Sequence, residues 1–172
     1  MKHFPVSRVA ADGVLVAFAL ILSYIEAILP INGLIPGIKP GLANICALLL
    51  LYRVGFWDAL GVNILRVILS NLLFGSLMSM AFGLAGGIGA VLLMGLLSRC
   101  PRFSPLGAGI AGGALHNLLQ LGVAALVTRS AGIWSYGPVL LFSGTLCGAL
   151  TGGLSLLILR KLPRHISFNR NR

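Results

Sequence analysis

The chain has 172 residues, of which 58% are hydrophobic and 9% charged, and its formal net charge is +10. A soluble domain carries roughly 25% charged residues, so this composition excludes a soluble globular protein and describes one integral membrane domain. At about 20 residues per span, the length accommodates five to seven helices. The positive charge does not indicate nucleic acid, because most basic residues flank apolar runs, where they serve as orientation signals.

In chain order, the first span is expected over 9–29. Asp12 suits a helix N-terminus, and Gly13 and Ala17 form a small-xxx-small pair that lets another helix approach. The run exceeds a signal-peptide core of about 7–15 residues, and no small-x-small site precedes Pro30, so it reads as a span rather than a cleaved signal. Next comes Leu29 to Ile45, with Pro30, Pro36 and Pro40 and with Gly33, Gly37 and Gly41. No regular helix survives that density of breakers, and irregular backbone at membrane depth is tolerated only where it packs in protein or lines a cavity. The stretch carries Asn32, Lys39 and Asn44, and Glu26 lies one turn before it. A short second span is expected over 40–52, a third over 57–74, and, after an uncharged turn over 75–82, a fourth over 83–97. A basic turn with Arg99 and Arg102 leads to a fifth span over 105–127. A polar loop with Trp134 and Tyr136, suited to a membrane interface, leads to a sixth over 138–159.

With six spans both termini fall on one side. That side holds Lys2, Arg8, Arg53, Arg99, Arg102, Arg160, Lys161, Arg164, Arg170 and Arg172 out of 13 basic residues; the other holds Lys39 and Arg129, and Arg66 lies inside a span. The bias predicts cytoplasmic termini in a plasma membrane, with the proline-rich stretch facing outward.

Arg66 is the sharpest polar anomaly. A central arginine costs roughly 2.5–3.5 kcal/mol on insertion scales, and such residues face a bundle interior or cavity and have a partner. Asn63, Arg66 and Ser70 share a helix face. His116 and Gln120 share another, bordered by Asn117. Simple interhelical hydrogen bonding explains such residues singly; together with Glu26 they describe a polar cavity. Glu26 is a candidate counter-ion for Arg66. Gly83/Gly87, Gly109/Gly113 and Gly144/Gly148/Gly152 recur every four residues, which fits helix packing within the bundle or a groove for another membrane protein.

Catalytic constellations are not found in the sequence. Asp12, Glu26 and Asp58 are scattered, and no HExxH, P-loop or CxxC pattern appears. Prenyl-diphosphate chemistry needs clustered aspartates to hold magnesium. Cys46, Cys100 and Cys147 lack metal-ligand spacing and read as small hydrophobes. The expectation is therefore a non-enzyme with no metal and no cofactor, and active transport would need a partner or an ion gradient.

Several segments, in order, resemble one family: Leu22-Ser-Tyr-Ile-Glu26-Ala-Ile-Leu-Pro30, Ile35-Pro-Gly-Ile-Lys39-Pro-Gly-Leu-Ala-Asn44-Ile, Leu65-Arg66-Val-Ile-Leu-Ser-Asn-Leu-Leu-Phe74-Gly75, Leu84-Ala-Gly-Gly87, Ala111-Gly-Gly-Ala-Leu-His116-Asn117-Leu-Leu-Gln120-Leu, and Tyr136-Gly-Pro138. They resemble the Gx transporter family, also labelled heptaprenyl diphosphate synthase component I; Pro40 and Leu119 depart from its pattern. That family is similar to the substrate-binding S components of energy-coupling-factor (ECF) vitamin transporters. The likeness implies a six-transmembrane-helix all-α bundle whose first loop closes over an outward site. It also implies coupling to a transmembrane T component and ATPases, and a small-molecule cargo such as a flavin, vitamin, quinone or isoprenoid-related compound. The polar residues read above are the candidate substrate-binding residues: Glu26, Asn32, Lys39, Asn44, Arg66, His116, Asn117 and Gln120. Two other readings stay open: a non-catalytic membrane subunit of heptaprenyl diphosphate or menaquinone synthesis, and a membrane partner in an extracellular electron-transfer assembly.

The charge bias makes a topological prediction. With Cys46, Cys100 and Cys147 replaced, a cysteine at Gly33 should react with an impermeant maleimide in intact cells; labelling only after permeabilisation overturns the orientation.

Overall fold

The structure, a computed structural model, describes residues 6–28 and 41–161. Among them are six α-helices: α1 Val6–Ile28, α2 Asn44–Arg53, α3 Phe56–Phe74, α4 Leu77–Ser98, α5 Pro105–Thr128 and α6 Gly137–Lys161, with a 3-10 turn at Ala131–Tyr136 between the last two. No strand occurs among the described residues. Helices α3, α4, α5 and α6 are each long and apolar enough to cross a membrane. At 23 residues, α1 extends about 34 Å and has the length to do the same.

Helix α2 is different. Its 10 residues rise only about 15 Å, half of a hydrocarbon layer about 30 Å thick. It lies at the centre of the bundle and packs against each of the other five helices. Asn44, Ile45, Cys46, Ala47, Leu48 and Leu50 are all buried. Around its lower part Val16, Leu48, Leu50, Val62, Val91, Met94 and Ala108 form the main apolar core. Two hydrogen bonds gather the chain at its C-terminal end. Tyr52 Oη donates to Phe103 O at 3.1 Å, and Arg53 Nη2 donates to Leu159 O at 2.7 Å. That end therefore collects the α4–α5 turn, with Arg99 and Arg102, and the end of α6, with Arg160 and Lys161. Cys100 is exposed in that turn, whereas Cys46 is buried and Cys147 half-buried.

Two boundaries differ from the sequence expectation. The fourth helix begins at Leu77 rather than at 83, because Ser76 caps it: its Oγ accepts from Ser79 N at 3.1 Å. The turn thus shrinks to Gly75 and Ser76. The second helix begins at Asn44 rather than at 40, behind a turn in which Gly41 adopts a left-handed φ of 70° that favours glycine.

The glycine periodicity is resolved as internal packing. In α5 and α6, Gly109 and Gly113 face Gly144, Gly148 and Gly152 backbone to backbone. A Cβ added at Gly109 would stand 2.7 Å from Gly148 O, and one at Gly144 would stand 2.6 Å from Gly113 O. By contrast, α1 packs chiefly on α2 and α3 through the narrow stripe Val16, Ala19, Ser23 and Glu26. Nothing lies within 4 Å of a Cβ built at Gly13, so Gly13 receives no helix among the described residues.

The seam gives a direct test. Gly148→Leu must push α5 from α6 and should destabilise the bundle by about 1–3 kcal/mol, the usual cost of overpacking. Gly122→Leu, on α5 with open space around it, should not. Thermal unfolding of both variants in detergent measures the difference.

Candidate functional site

The upper half of the bundle has a different lining from the lower. Above the N-terminus of α2 lies a cavity of about 270 Å³, bordered by α1, α2, α3, α4 and α5. Of the residues expected at a site, Glu26, Asn44, Arg66, His116 and Gln120 line it together. Each is at most 9% exposed, and they come from four helices. Asn32 and Lys39 lie outside the described residues.

Arg66 sits on the inward face of α3. Its Nη2 donates to Asn63 Oδ1 at 2.6 Å, one turn back on the same helix. Its Nη1 reaches Ser23 Oγ of α1 at 3.5 Å. The Glu26 carboxylate is near enough for its charge to act on the guanidinium, and Glu26 Oε1 also accepts from Leu42 N. One carboxylate therefore faces the cation and fastens the chain where it turns down into α2. A buried arginine without such partners would be costly; here an amide, a hydroxyl and a carboxylate offset that cost.

Glycines make room for these groups. A Cβ at Gly87 would stand 2.7 Å from Asn63 Nδ2, and one at Gly86 would stand 3.0 Å from the His116 ring. The Gly86–Gly87 pair of α4 is therefore a slot that receives a polar side chain from α3 on one side and from α5 on the other. Gln120, one turn beyond His116, projects onto the same cavity; its Nε2 is buried and has no hydrogen-bond partner among the described residues.

Asn117 does not join them. Its Nδ2 donates to Leu140 O at 2.9 Å and to Ser143 Oγ at 3.2 Å, both on α6. A residue next to His116 is rotated by about 100° around the helix, and here that rotation turns it onto the glycine seam. Ser23, Ser70, Asn71 and Ser79 are further polar residues on the cavity wall. The available signal was that Ser23 lies three residues before Glu26 and Ser70 four after Arg66; Asn71 and Ser79 have no such relation to the site residues. Small hydroxyls are common in membrane helices as backbone-bonded residues, so the pattern does not stand out.

Chemically, the lining combines one guanidinium, one carboxylate, an imidazole and several amides and hydroxyls. Among the described residues no group of His, Cys, Asp and Glu could hold a metal ion. The arrangement can orient and partly neutralise a small polar molecule.

Residues 15–158 match the family described as heptaprenyl diphosphate synthase component I, and the chain belongs to that family. The description names one component of a larger assembly. Neither a curated protein nor a solved structure matches the chain.

The separation of Asn117 from the cavity can be tested. Asn117→Ala removes two donors to α6 and should lower stability by about 0.6 kcal/mol, the mean worth of an interhelical hydrogen bond in a membrane, as read from denaturation in mixed detergent micelles. Retention of any co-purifying small molecule should be unchanged.

Proposed function

We propose that this member of the heptaprenyl diphosphate synthase component I family is a membrane-embedded binding subunit for a small polar molecule, acting like the S component of an ECF-type transporter. One observation carries the reading: ionic and amide side chains from four helices surround a 270 Å³ cavity inside an otherwise apolar bundle. Polar residues at membrane depth are expensive and are retained where they do work. A structural bundle of this size has no use for an open polar volume above a half-length helix.

In this reading Arg66 and Gln120 donate to the cargo, Glu26 holds Arg66 in place, and Asn44 and His116 complete the wall. Asn32 and Lys39 belong to the segment proposed to close over it. The cavity lies at the end opposite Arg53, Arg99, Arg102, Arg160 and Lys161, so the positive-inside rule turns it outward. With no ATP-binding motif in the chain, energy would come from partner ATPases through a membrane component, or from an ion gradient.

The family description favours a second reading, a non-catalytic membrane subunit of a prenyl diphosphate synthase. The two predict different companions. Purification in mild detergent followed by mass spectrometry of small molecules and proteins separates them: an ATPase pair and a small polar cargo support transport, and a soluble aspartate-rich synthase supports the other. Arg66→Ala should insert and purify normally yet lose the cargo, by at least about tenfold in occupancy for one charge-assisted hydrogen bond. Full retention by Arg66→Ala overturns the binding reading.

A further inference from the structure

The cavity's hydrogen-bonding inventory is lopsided, and so is its charge. Gln120 is 8% exposed, lines the cavity, and has an amide nitrogen with no partner among the described residues. Arg66, 9% exposed, uses Nη2 on Asn63 and reaches Ser23 only at 3.5 Å. Those bonds engage two of its five N–H donors, and Arg66 lines the cavity. The carboxylate opposite already accepts from Leu42 N. The unfilled capacity at Gln120 Nε2 and on the Arg66 guanidinium is for acceptors. A buried donor left unsatisfied is destabilising, so the molecule that belongs here brings oxygen lone pairs to Gln120 and Arg66.

Charge limits which oxygens these can be. Among the described lining residues Arg66 is the cation and Glu26 the anion, and these cancel; a protonated His116 would leave one positive charge. Among these described residues, a group with two or more negative charges would lie beside Glu26 with Arg66 as its one fixed counter-charge. At 270 Å³ the cavity is also smaller than the ~300–1,000 Å³ pockets that enclose drug-sized ligands.

Resting on the binding-subunit reading, we propose that the cavity takes a compact carbonyl or carboxylate head with at most one negative charge, held by Gln120 and Arg66, and that it rejects diphosphate. The family description would lead to the opposite ligand class, a diphosphate; the charge balance of the described lining residues argues against it.

The test uses the purified full chain in mild detergent, with three probes at millimolar concentration: uracil as a neutral dicarbonyl ring, benzoate as a monocarboxylate, and inorganic diphosphate. Thermal stabilisation reports binding by mass action. Uracil or benzoate should raise the melting temperature, and diphosphate should not. Gln120→Leu removes a buried unsatisfied amide, so it should fold at least as stably as the native chain while binding the carbonyl probe about tenfold or more weakly. Diphosphate stabilisation that disappears in Arg66→Gln overturns the ligand class but leaves a binding cavity. No stabilisation by uracil or benzoate overturns the class, whereas the binding reading stands or falls on cargo retention by Arg66→Ala. Undiminished carbonyl binding in Gln120→Leu overturns the assignment of the acceptor edge.

Discussion

The fold depends on one mismatch of length. A helix of 10 residues stands where a span of about 20 is needed to cross the hydrocarbon layer. The helix N-terminus therefore lies part-way through that depth, where its unpaired backbone groups are tolerated only inside protein. This explains why α2 is central, why it touches all five other helices, and why polar side chains gather above it. Glu26 takes up the Leu42 N–H, and the left-handed Gly41 makes the turn that points Asn44 into the cavity. The helix N-terminus adds a partial positive charge at the same place.

The bundle divides accordingly. Below the start of α2 the interior is Leu, Val, Ala and Met, packed as in any apolar core. Above it the interior is Ser, Asn, Arg, His and Gln around open volume. The two halves share the same helices, so each of α1, α3 and α5 changes character along its length. On α1 the inward stripe runs Val16, Ala19, then Ser23 and Glu26; on α3 it runs Ala59 and Val62, then Asn63, Arg66 and Ser70.

Much of this was legible in the sequence. The helices announced themselves by apolar length, whereas most of the proline-rich stretch, 29–40, lies outside the described residues. Arg66, His116 and Gln120 could be set on inward faces because an ionic group in lipid has few other places to go. The rest needed tertiary contacts. Asn117 follows His116 directly, and nothing local says that it meets Leu140 and Ser143 of α6 while its neighbour meets the cavity. The start of α4 at Leu77 was hidden because the preceding turn has no charge to mark it, only the Ser76 cap. The glycine repeats favoured internal packing over external docking, and the approach of the α5 and α6 backbones decided it.

That seam also sets an order of assembly. Helices α5 and α6 are neighbours in sequence, joined by the Ala131–Tyr136 turn, and their glycine faces meet without any third element. Local contacts of this kind close at little entropic cost and form early. The half-length helix has no such independence, since its environment is made of five others, three of which follow it in the chain by a whole helix or more. It therefore settles only when the late hairpin arrives. His116 and Gln120 of α5 are part of the cavity wall, so the polar chamber is incomplete until that hairpin has been synthesised and docked.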